Sequence, residues 1–137
     1  MGTTKEVRLS WTGRDQAFRG GEPGGPFITL DGSGEEGPSP TTALLLSVAA
    51  CMGIDIRHIL EKSRVSVTGV DVEVTGTRAE DHPRRFESVS MIFTVDGPAE
   101  EDEERMERAL SLSRSTYCSV LHTLRSDLDL DLTIRRS

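Results

Sequence analysis

A chain of 137 residues with 35% apolar and 4% aromatic content has room for one modest core, built on Leu, Val, Ile and Ala rather than on rings. Its net charge of −7 argues against nucleic acid and against anionic membranes, since both reward Lys and Arg. Two cysteines and three histidines, with no C-x-x-C or H-x-x-x-H spacing, speak against a metal centre, so no metal and no cofactor is expected.

The N-terminal Met1-Gly2-Thr3-Thr4-Lys5-Glu6 carries no apolar signal segment, and the longest apolar stretch, Ala43 to Ile54, is short for a membrane span. A single cytoplasmic domain over residues 1–137 is the expectation. Val7, Leu9 and Trp11 alternate with Arg8 and Ser10 as in a half-buried strand. The glycines and prolines from Gly13 to Pro26 predict a turn or mobile loop. Phe27 to Leu30 reads as a second short strand, and Ser33 to Gly37 as a polar loop.

Ser39-Pro40 is a helix start: the hydroxyl caps orphan N–H groups, and proline loses nothing at the first helical position. The helix runs from Thr41 to about Lys62, apolar on most faces in its first half and striped in its second. Val70, Val72 and Val74 predict a strand antiparallel to one over Phe86, Val89, Met91, Phe93 and Val95. The step from 86 to 89 breaks alternation and predicts a bulge near Ser88. Ala99 to Ser115 reads as a helix with an acidic start, Met106, Ala109, Leu110 and Ser113 facing inward. A short helix over Ser119 to Ser126 and a strand over Leu128 to Ile134 complete a β-β-α-β-β-α-β order. That is an α+β fold with an antiparallel sheet, wet on one face and helix-covered on the other. One sheet face is too little to bury the central helix, so a homodimer is expected.

Cys51 lies deep in the central helix and Cys118 in Tyr117-Cys118-Ser119-Val120, both in apolar surroundings. Two such thiols that meet in space support a two-electron reaction, one being oxidised and the other closing a disulfide. Free cysteine is also a common core residue, and both readings stand at this stage. Cys51 is too deep for the helix dipole to favour its thiolate, so a cation is required, with Arg14 and Arg19 as candidates. Asp55 and His58 follow Cys51 one and two turns on along the same face. A neighbouring carboxylate opposes a thiolate, so this pair reads as a polar flank at the helix exit. His122, one turn after Cys118, reads as a surface or capping residue, and His82 lies in a polar loop.

Pro38-Ser39-Pro40 opening a helix that reaches Ala49-Ala50-Cys51, the second cysteine after a charged helix, and the element order together resemble the OsmC/Ohr family of hydroperoxide reductases. The resemblance implies an intertwined homodimer with its sheets wrapped around the central helices and two sites at the interface. It implies that Cys51 attacks an organic hydroperoxide and that Cys118 closes a disulfide, which an external dithiol, lipoyl-like in some branches, reduces. It also implies that Arg14 stabilises the thiolate. The family's peroxidases hold that arginine with a glutamate just after the helix-opening proline, where this chain has Thr41 and Thr42. Ser119 stands where the family often has proline. The alternative is a non-enzymatic dimer of the same fold that binds a small apolar ligand or senses redox state.

Overall fold

In the computed structural model, which describes residues 2–137, the chain divides into two compact units, Met1–Leu44 and Leu45–Ser137. The first unit holds an antiparallel three-stranded meander of β1 (Arg8–Trp11), β2 (Ala17–Gly21) and β3 (Phe27–Asp31). β2 falls inside the segment expected to be a loop. Its Ala-Phe-Arg-Gly-Gly lacks apolar alternation, and its glycines read as turn signals. The reason for those glycines is close strand approach: a Cβ at Gly20 would stand 2.1 Å from the Arg8 carbonyl oxygen, and one at Gly21 2.3 Å from that of Pro26.

α1 (Pro40–Lys62) begins as the sequence predicts. The Ser39 hydroxyl accepts the Thr42 amide at 3.3 Å and donates to the Thr42 Oγ1 at 3.0 Å. By length and composition α1 is apolar enough to cross a membrane, with a mean hydropathy of 1.7 over its most apolar window, although the uninterrupted apolar stretch within it is short. Its Val48, Ala49, Met52, Ile56 and Leu60 are nevertheless buried in a protein core.

The second unit builds that core on a sheet ordered β4-β5-β6, from β4 (Gly69–Arg78), β5 (Phe86–Asp96) and β6 (Asp129–Arg136). β4 pairs with β5 antiparallel as expected, but β6 pairs with β5 parallel, so this sheet is mixed rather than antiparallel; the long helical connection between β5 and β6 carries the chain back to run in the same direction. Val89, Met91, Phe93 and Val95 of the central β5 point into the core with α1 and with Met106, Ala109 and Leu110 of α2 (Glu103–Leu112). The polar positions Asp71, Glu73, Asp129 and Asp131 of the flanking strands are exposed, as alternation requires. The expected bulge is present: Thr77 faces Ser88 and Arg78 faces Phe86, which leaves Glu87 as the extra residue.

The helix expected over Ala99–Ser115 is three pieces. A 3-10 turn (Glu100–Asp102) leads into α2, and a π turn (Ser113–Tyr117) follows it. α3 (Ser119–Thr123) is shorter than the expected span to Ser126.

Candidate redox site

The π turn decides where Cys118 goes. Residues five apart on a regular α-helix point well away from each other. The wider turn closes the Cys118 amide on the Ser113 carbonyl at 2.9 Å, and both side chains are fully buried. His122 braces this turn, with Nδ1 at 2.7 Å from the Cys118 carbonyl and Nε2 at 3.2 Å from that of Ser115. Its role is the local, capping one expected of it. The Cys118 sulfur caps α3 by accepting the Leu121 amide at 3.4 Å.

Across from it α1 presents Cys51, half-buried, and Asp55 one turn later. The two sulfurs and a carboxylate oxygen of Asp55 all lie within 4.8 Å of one another. Both thiols are free. The Ser113 hydroxyl donates to Asp55 Oδ2 at 2.8 Å, so the carboxylate is held from the π turn as well as from α1. Asp55, expected on the same helix face as Cys51 but as a polar flank at the helix exit, stands at the cysteines. The signal was its one-turn spacing from Cys51. What the sequence could not give was that a buried serine from a distant π turn would hold it there.

Burial pushes the Cys118 thiol up to about 11, with the Cys51 thiol and the Asp55 carboxylate adding to the rise and the Leu121 amide opposing it. Cys118 is therefore a protonated thiol at neutral pH. Cys118 is sealed and protonated, whereas Cys51 is only half-buried. Beside Asp55, a groove of about 550 Å³ runs past His58, Lys62, Arg108 and Tyr117.

The candidate cations lie in the first unit. Arg19 stacks over the Phe27 ring at 5.4 Å. Arg14 pairs with Glu36. Glu36 is held by a loop that folds on buried Asp31, whose carboxylate accepts the Ser33 amide at 3.0 Å, the Ser33 hydroxyl at 2.8 Å and the Glu36 amide at 3.0 Å. Those donors at Ser33 hold the Asp31 carboxyl below the ordinary carboxylate range. Glu36, read from sequence only as part of a polar loop, thus gives Arg14 a carboxylate partner that Thr41 and Thr42 cannot.

Comparison with known proteins agrees with this architecture. Residues 32–133 match the family described as OsmC-like protein. Protein YhfA of Escherichia coli K12 is 35% identical over 116 residues, 84% of this chain and 85% of that protein. The crystal structure of a hypothetical protein from Aquifex aeolicus VF5 superposes with a TM-score of 0.87 at 29% identity, covering 99% of this chain and 98% of that one. The organic hydroperoxide resistance protein OhrB of Bacillus subtilis shares the fold at 16% identity, with a TM-score of 0.63 and coverage of 97% and 98%.

Proposed function

This chain belongs to the OsmC-like protein family, and on that premise we propose that it is a thiol-dependent reductase of organic hydroperoxides. The observation that carries the proposal is the meeting of the Cys51 and Cys118 sulfurs, from elements far apart in the chain, at a distance a small movement closes.

The cycle balances without any further group. The Cys51 thiolate attacks the outer oxygen of R–O–O–H, and the O–O bond breaks. Cys51 becomes a sulfenic acid, and the alkoxide leaves and takes a proton to give the alcohol. The Cys118 sulfur then attacks the sulfenic sulfur; its proton departs with the hydroxyl as water, and the disulfide forms. A dithiol reduces that disulfide by two exchanges, returning both thiols and leaving as its own cyclic disulfide. Holding the resolving thiol protonated and sealed protects it from direct oxidation. Arg14, held by Glu36, is the cation this reading assigns to the Cys51 thiolate; the support is the family resemblance and the restored carboxylate partner.

The same reading includes a homodimer. α1 buries one face and leaves Leu46 and Ile54 exposed on the other, at 56% and 68%. The first unit exposes Trp11, Phe27 and Ile28, while three short strands cannot bury such side chains among themselves. The family match crosses the boundary between Leu44 and Leu45, which supports residues 1–137 as one OsmC-like domain. A reducing cytoplasm is the compartment in which such thiols are regenerated.

Stopped-flow turnover with cumene hydroperoxide and a dithiol tests the assignment. Parent protein is expected to turn over, and Cys51→Ser to fall to the uncatalysed rate. Equal turnover by the two proteins would remove Cys51 from the mechanism.

A further inference from the structure

We propose that in its reduced state the chain binds a thiophilic divalent cation, zinc by preference, through Cys51, Cys118 and Asp55, and that this site disappears when the disulfide forms. The cluster is not legible as a metal site because only one of its spacings is local: Cys51 and Asp55 lie one turn apart on α1, whereas the third donor comes from the end of the π turn. In space the three donor atoms lie within 4.8 Å of one another. Thiolates about 2.3 Å and a carboxylate oxygen about 2.1 Å from one ion stand roughly 3.6–3.8 Å apart at the corners of a tetrahedron, inside that limit. Two sulfurs and one oxygen suit zinc and exclude calcium or magnesium, which take oxygen sets.

The surroundings are those of a built ligand set. Ser113 holds Asp55 in place through a hydrogen bond to Oδ2, the kind of outer contact that orients a carboxylate ligand. The Leu121 amide is directed at the Cys118 sulfur, which steadies a metal-bound thiolate. Three protein ligands leave a fourth tetrahedral position open to water or to a small thiol. Binding costs the two thiols their protons, about two per ion, and a disulfide has no thiolate to offer. The ion and the peroxide therefore compete for the same Cys51 electron pair, and zinc would hold the protein inactive until it is withdrawn.

The proposal rests on the placement of the donors and stands whether or not the chain reduces peroxides. Phosphine-reduced, chelator-stripped protein is titrated with Zn²⁺, and with Co²⁺ as a spectroscopic substitute. About one ion per chain is expected, with a sulfur-to-cobalt charge-transfer band in the near ultraviolet and release of about two protons. Cys51→Ser, or alkylation of Cys51 in the folded parent, is expected to weaken that band and the affinity together. Ser113→Ala is expected to keep the band and weaken binding roughly 10-fold or more. Cobalt bound without the band, or zinc affinity unchanged by blocking Cys51, would overturn the proposal. A site that forms in a protein unable to turn over cumene hydroperoxide would support it and count only against the peroxidase reading.

Discussion

At the scale of single residues, the two cysteines divide the labour because their surroundings differ. Cys51 is reachable, while Cys118 is sealed and its thiol is pushed up to about 11. Its sulfur is almost wholly protonated at pH 7, so its attack on a sulfenic acid should quicken as pH rises. The rate of disulfide closure measured after a single oxidation is expected to climb about tenfold per pH unit across the neutral and mildly alkaline range; a flat profile would contradict the assignment of Cys118 as resolving thiol. In Cys118→Ser, the Cys51 sulfenic acid should persist and be trapped by a dicarbonyl reagent. The same raised value carries a sign for stability. Folding favours the protonated thiol, so its contribution is intact below the ordinary value of 9.0 and is lost as pH rises from there towards about 11. The residues legible from sequence were those with a reactive type and an apolar setting. Glu36 and Asp55 were not read as site residues, because a carboxylate's role depends on which cation or thiol the fold sets beside it.

At the scale of elements, alternation and capping make α1, β5 with its bulge, and the positions of β4 and β6 readable, while the full length of β4 and the parallel direction of β6 are not. Each buries a repeating face, and the repeat is visible in the chain. β2 was missed because what defines it is the absence of side chains, the glycines that let β1 and β3 approach. The π turn is not visible in the sequence because Ser113–Tyr117 carries no Gly or Pro to mark a change of winding; the structure shows it where Ser113 and Cys118 are both buried. β5 is the element on which the second unit depends, and Phe93 is its largest fully buried side chain. Phe93→Ala is expected to destabilise the fold by about 3–5 kcal/mol in denaturant unfolding. A loss below ~1 kcal/mol would mean that the core closes around the missing ring.

At the scale of the whole molecule, what remains unexplained within one chain is its uncovered apolar surface. Leu46 and Ile54 are exposed, so glutamate at both should cost a lone chain little. In a dimer packed on that face of α1, two charges per chain would be buried without partners. Sedimentation equilibrium is expected to show a dimer for the parent and a monomer for the Leu46→Glu, Ile54→Glu double variant. A monomeric parent would remove the homodimer from the account. Composition alone leads to the expectation of a homodimer, since α1 is more apolar than one sheet face can cover, but it does not say which residues of α1 a lone chain leaves exposed.

The most direct test of the central claim is intact-mass and peptide mass spectrometry of the reduced protein after about one equivalent of cumene hydroperoxide. The expected product is the chain lighter by two hydrogens, with the Cys51 and Cys118 peptides joined, and full recovery of both thiols on adding a dithiol. Unmodified thiols, or Cys51 carried to a sulfinic acid with Cys118 still free, would contradict it.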